Sequence, residues 1–160
     1  MTHQTIKRKK KKPKSKQVLC PYCGAEALLR EGVFISDRLA NIKHLYVCVR
    51  YPECDAYVAA HEHTLHPMGR PANAELRRKR RMAHKAFDKL WQRGLFTRAQ
   101  AYRWLKDLFF MTGDEAHIGM LSASRCDELV CEVNKVFQNH AHVHSMKSWT
   151  HTGEELVKMG

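Results

Sequence analysis

No apolar run in this 160-residue chain approaches the roughly 20 residues that a membrane-spanning helix requires. An apolar signal-peptide core is also missing behind the N-terminal lysines, so the expectation is a protein not secreted by that route. Acids are scarce: 16 Asp and Glu stand against 28 Lys and Arg, for a formal charge of +12. The chain contains no P-loop, no nucleophile elbow, no paired-carboxylate motif and no HExxH zincin spacing. No familiar enzyme site is therefore legible, although nuclease carboxylates can lie far apart in sequence. What is present is 44 % hydrophobic residues, enough to bury a core and to exclude wholesale disorder. The length suits one domain, or one with a small satellite. The expectation is a soluble cytoplasmic protein, nucleoid-associated if it binds DNA.

The positive charge sits in two blocks. Lys7 to Lys16 (KRKKKKPKSK) holds eight basic residues and no acid, while Arg70 to Arg93 holds nine basic residues and two acids. The rest of the chain carries a net −3. With no apolar periodicity and with Pro13 inside it, the first block reads as a disordered arm. Lys9, Lys10, Lys11 and Lys12 in such an arm can neutralise phosphates without reading sequence. A solubilising tail and, in a eukaryotic host, a nuclear-import signal are the other readings.

Six cysteines in a reducing compartment point to ligands or buried thiols before disulfides. Cys20 and Cys23 form C-x2-C in CPYCG, followed by Gly24, where a positive φ is commonly needed. Cys48 and Cys54 form C-x5-C in CVRYPEC, with turn-forming residues between them. The interval between the pairs accommodates a β-hairpin, with strand-like composition at Ala27–Ile35 and His44–Val49. Four thiolates brought together this way are what a tetrahedral structural Zn²⁺ takes, and the closed shell leaves no position for catalytic water. The spacing matches no ferredoxin pattern. A Zn(Cys)4 centre carries a formal charge of −2, so donors are needed around the sulfurs, from backbone amides or from Lys43 and Arg50 nearby.

CPYCG with CVRYPECDAY resembles the C-terminal zinc ribbons of bacterial type IA topoisomerases, which implies single-stranded DNA binding; the topoisomerase catalytic machinery has no counterpart here. A wider resemblance runs from Cys20 to Phe137 through CPYC, YPECDAYV, AHEHT, PMG, ELRRKR, AHKAFDKLW, AYRWL and HIGM. Over that span the chain is similar to small phage and bacterial "zinc-finger-containing domain" proteins. The likeness implies fold boundaries and a phage or bacterial origin, and no reaction.

After Pro71 the periodicity becomes helical. Asn73 is a candidate N-cap, and Leu76, Ala83, Phe87, Leu90 and Trp91 recur on one stripe up to Gly94. Around it lie Arg77, Arg78, Lys79, Arg80, Arg81, Lys85 and Lys89, with only Glu75 and Asp88 as opposing acids. That deficit favours phosphate binding over a merely solvated face. Thr97 and Gln100 form a capping box for a helix from Arg98 to about Phe110, and a third helix begins near Ser122 or Ser124. Cys126 lies on the apolar stripe of that third helix and reads as core; Cys131 lies off it.

The fold expected is α+β: a four-cysteine zinc ribbon followed by a three-helix unit packed with it. In domain terms, residues 1–17 are a basic arm, 18–60 the ribbon, 61–72 a linker loop, 73–138 the helical region and 139–160 a flexible tail. The leading functional expectation is a non-enzymatic nucleic-acid-binding protein, weakly sequence-specific, with DNA favoured over RNA. It holds one structural Zn²⁺ on Cys20, Cys23, Cys48 and Cys54. Phosphate contacts fall to Arg77, Arg78, Lys79, Arg80, Arg81, Lys85 and the lysine arm, and base stacking to Tyr22 and Tyr51. Two alternatives stand beside it: a protein-binding adaptor acting on a replication or transcription enzyme, and a metal-dependent nuclease using the His61–Glu62–His63 region of HEHTLH.

Overall fold

A computed structural model of the chain describes residues 17–113 and 116–156, with side chains to residue 141. The lysine arm, Lys9 to Lys12 included, lies outside the described residues. Four short strands make one antiparallel sheet in sequence order: β1 (Val18–Leu19), β2 (Glu26–Arg30), β3 (Leu45–Cys48) and β4 (Tyr57–Ala59). The expected hairpin is thus the centre of a larger sheet, and its first strand is shorter than composition indicated. Beyond Arg30 the chain winds through two single turns of 3₁₀ helix, Gly32–Phe34 and Asp37–Leu39. The reason is local packing. The Gly32 amide donates to the Ile42 carbonyl (3.0 Å), and Leu39 turns back onto Leu45 and Val47 with Ile35 and Ile42 beside it. This segment covers a sheet face instead of lengthening the ladder.

Residues 61–72 are not a free-standing linker. The His61 amide donates to His66 O (2.8 Å) and Leu65 N to His61 O (2.9 Å), closing HEHTLH into a turn. The chain then returns along β4, where Met68 N donates to Ala59 O (2.8 Å) and Ala72 exchanges backbone hydrogen bonds with Tyr57. Backbone groups that would need water in an open loop are paired here.

The helices are α1 (Ala74–Gln92), α2 (Arg98–Phe109) and α3 (Ala123–Leu156). The predicted caps form: Asn73 Oδ1 accepts from Leu76 N (2.9 Å), and Thr97 and Gln100 exchange both capping-box bonds (2.7 and 3.2 Å). Instead of stopping near residue 138, α3 continues through the segment read from sequence as a tail. Ala83, Phe87, Leu90, Ala101, Leu105, Phe109, Cys126, Leu129 and Val133 form the helical core, including Cys126 as the apolar stripe required. Phe87 meets Trp91 and Tyr102 edge-on at 5.2 and 5.3 Å between ring centres, a favourable quadrupole arrangement. Ile118 and Leu121 complete this core from the loop before α3; with no periodicity to mark them, they escape a pattern reading.

Sheet and helices keep separate apolar clusters. They join where the returning segment crosses the loop before α3, with Arg70 N donating to Gly119 O (3.3 Å), and where the cysteine turns meet the first turn of α1.

Candidate metal centre and basic helix

Cys20 and Cys23 flank a tight turn whose closure is set by Gly24 N to Cys20 O (2.9 Å) and Cys20 N to Ala25 O (2.8 Å). Gly24 sits at φ +69°, the left-handed conformation expected at that position. The second turn mirrors the first: Tyr51 N donates to Cys48 O and Cys54 N to Arg50 O, both at 3.0 Å. Because β2 and β3 pair with Ala27 opposite Cys48, the two turns arrive at the same end of the sheet.

The four Sγ atoms consequently lie within 4.8 Å of one another. Cys20 and Cys54 are 3.5 Å apart and Cys23 and Cys48 3.4 Å apart, too far for a disulfide bond of about 2.05 Å. Tetrahedral zinc with Zn–S bonds of about 2.3 Å sets its sulfurs about 3.8 Å apart, within the span seen here. Cys20 and Cys48 are buried and Cys23 and Cys54 half-buried. The cluster fits one structural Zn²⁺, and four thiolates saturate it.

The sulfurs take their donors from the backbone. The Ala25 amide bonds to Cys23, the Arg50 amide to Cys48 and the Ala56 amide to Cys54. The Ala25 amide, aided by the Cys48 thiol, pulls Cys23 down to about 7. Burial pushes Cys48 up to about 12 against the opposing Arg50 amide. At Cys54 the Ala56 amide pulls downward, but burial and the Cys20 sulfur outweigh it and the net shift is upward. Lys43, expected to support the centre, instead pairs with Glu62 at 2.5 Å.

A family model described as a zinc-finger-containing domain matches residues 16–136. The chain belongs to this zinc-finger-containing domain family. Comparison with curated proteins and with solved structures gave no significant match.

In this zinc-finger domain the predicted basic helix divides sharply. Arg77 points at the second cysteine turn: its guanidinium bonds Asp55 Oδ2 (3.0 Å), Asp55 O (2.7 Å) and the Ala72 carbonyl, and it lies 3.8 Å from the centre of the Tyr57 ring. Arg80 bonds Leu121 O (3.1 and 3.2 Å) and Arg70 O (2.8 Å). Lys79 is paired with Asp127. These three, expected to contact phosphate, pair with groups of the protein itself, Arg77 and Arg80 in part-buried bonds and Lys79 in a surface ion pair, because their helical positions face the sheet and α3. Arg78, Arg81, Lys85 and Lys89 are exposed and make no hydrogen bond or ion pair among the described residues.

The aromatic expectations also divide. Tyr22 is 46 % exposed, with its hydroxyl accepting from Asn73 N (3.2 Å). Tyr51 is half-buried and packs against the cluster of Leu39, Leu45 and Val47. His61, Glu62 and His63 are exposed on the HEHTLH turn, with Glu62 held by Lys43. Among the described residues, only the four cysteines bring three or more His, Cys, Asp or Glu ligand atoms together.

Proposed function

We propose that this zinc-finger domain is a non-enzymatic nucleic-acid-binding module, weakly sequence-specific, with DNA favoured over RNA. The observation that carries the reading is the outer face of α1. At about 100° per residue, Arg78, Arg81, Lys85 and Lys89 fall within about 80° of the helix circumference and span about 16 Å, close to one cation per turn. A phosphodiester backbone offers the complementary line of charge, and the Lys9–Lys12 arm adds to the attraction. Phe87 and Trp91, the aromatic residues of α1, are turned into the helical core, so this face carries no ring for base stacking. The contacts are therefore to phosphates, and duplex DNA, with twice the linear charge density of one strand, binds at least as tightly as a single strand.

A titration of the full chain against matched duplex DNA, single-stranded DNA and RNA at several salt concentrations tests this. The four phosphate contacts of α1 contribute about −3.6 to the salt slope on duplex. Replacing Arg78, Arg81, Lys85 and Lys89 together by Gln is expected to remove that share of the slope, leaving the share of the lysine arm, and to weaken binding on all sequences alike. Affinity indifferent to salt, or to the fourfold substitution, would refute the reading.

A second reading, a protein-binding adaptor, is favoured by Phe34 and Val33, which are 81 % and 59 % exposed on the turn following β2. A pull-down that survives nuclease treatment and is lost on Phe34→Ser supports it.

A further inference from the structure

We infer that metal occupancy of the cysteine centre fixes the first turn of α1, and that Arg77 is the positioning residue through which the two are coupled. The proposal rests on the nucleic-acid reading only for the use made of the basic face.

Both cysteine turns reach α1. From the first, between Cys20 and Cys23, the Tyr22 hydroxyl accepts from the amide of Asn73, the N-cap residue (3.2 Å). From the second, Asp55, next to Cys54, accepts from the amide of Ala74 through Oδ2 (2.8 Å). The same carboxylate oxygen and the Asp55 carbonyl take the Arg77 guanidinium (3.0 and 2.7 Å). An α-helix starts with amides that have no partner within the helix; here two such donors, at Asn73 and Ala74, are satisfied by the segments that carry the metal ligands. The negative end of Asp55 also lies where the helix dipole is positive. Arg77 closes the arrangement, because its planar fork bridges Asp55 and Ala72 while its face covers Tyr57, a geometry that Lys cannot reproduce.

The turns supply these acceptors at the right positions only when their own conformation is set, and four sulfurs gripping one cation set it. Arg78 follows directly in sequence and Arg81 one turn later, so the orientation of the outer basic face relative to the ribbon depends on the same clamp. The core residues of α1, α2 and α3 pack on one another in a cluster separate from the ribbon, so the clamp is local to the start of α1. Coupling of this kind is reciprocal: if zinc orders the first turn, loss of the first-turn clamp weakens zinc by the same factor.

The test uses Zn²⁺ alone with the full chain, in competition with a chromogenic chelator. Arg77→Gln, which removes no metal ligand, is expected to weaken zinc binding about tenfold, and Arg77→Lys to restore little. Arg81→Gln, one turn further on the outer face, leaves zinc affinity unchanged. Hydrogen exchange on the unsubstituted protein gives a second readout that does not depend on a variant folding. Chelation is expected to expose the amides of residues 73–77, while those of 126–133 keep their protection. Zinc affinity unaltered by Arg77→Gln, or first-turn amides equally protected with and without metal, overturns the proposal. A uniform loss of protection through α1 and α3 overturns it too, since zinc would then hold the whole molecule and not this junction. None of these readouts involves nucleic acid, so their failure is distinct from failure of the functional reading.

Discussion

Arg77 and Arg78 are chemically identical neighbours with opposite roles, separated by the roughly 100° of one helical step. One guanidinium is bonded to Asp55 and Ala72; the other faces solvent. Gly119 is an equally local determinant. A Cβ built on it would lie 2.4 Å from the Met68 carbonyl oxygen, a backbone atom that cannot rotate away. The chain segments joining sheet to helices meet at this point, so Gly119→Ala forces one of them to move. Overpacking of this sort costs about 1–3 kcal/mol. The variant should lose that much stability in urea denaturation, and an unchanged midpoint would show that the junction yields without cost.

The ribbon's cysteine turns have a proton linkage that sets their pH behaviour. In the metal-free centre Cys48 is pushed up to about 12 and Cys54 is also raised, so between pH 6 and 8 both hold protons that Zn²⁺ must displace. Cys23, lowered to about 7, adds a fraction that grows toward one proton as pH falls below that value. Each displaced proton makes affinity change about tenfold per pH unit. Zinc affinity should therefore rise with pH by at least about two decades per unit above pH 7, and Cys23 adds up to about one further decade per unit below it. Acidification releases the metal. A chelator competition repeated at several pH values measures the slope, and a value near one would show that the thiols are already ionised before metal arrives. In α1 the amphipathic pattern did more than bury an apolar stripe: it left one side of the helix to the sheet, one to α3 and only the outermost face to solvent.

Among the described residues, a sheet and a helical unit, each with its own apolar packing, are joined by a returning segment and a helix cap. Removing Phe87, fully buried where Trp91 and Tyr102 converge, deprives the helical core of its largest buried side chain. Phe87→Ala should cost about 3–5 kcal/mol, read as a lowered denaturation midpoint of the helical signal. Equal stability would mean that the helices draw their support from the sheet. Much of this organisation is legible in sequence: the cysteine spacing, the Asn73 and Thr97 caps and the Cys126 stripe each rest on short-range rules, satisfied within a few residues. Asp55, Ile118 and the Lys43–Glu62 pair were not legible, because their partners lie far along the chain and no local period marks them. The partial burial of Tyr51 has the same origin, since exposure of a turn residue depends on which way the turn folds.

The sequence by itself determined that two cysteine pairs could grip one cation, that the C-terminal half is helical and that its charge is concentrated in a block opening α1. Tertiary structure alone decided which members of that block are offered outward. Burial and hydrogen-bond satisfaction are properties of the assembled chain: among the described residues, Arg77, Lys79 and Arg80 found acceptors on the ribbon and on the α3 side, and Arg78, Arg81, Lys85 and Lys89 did not.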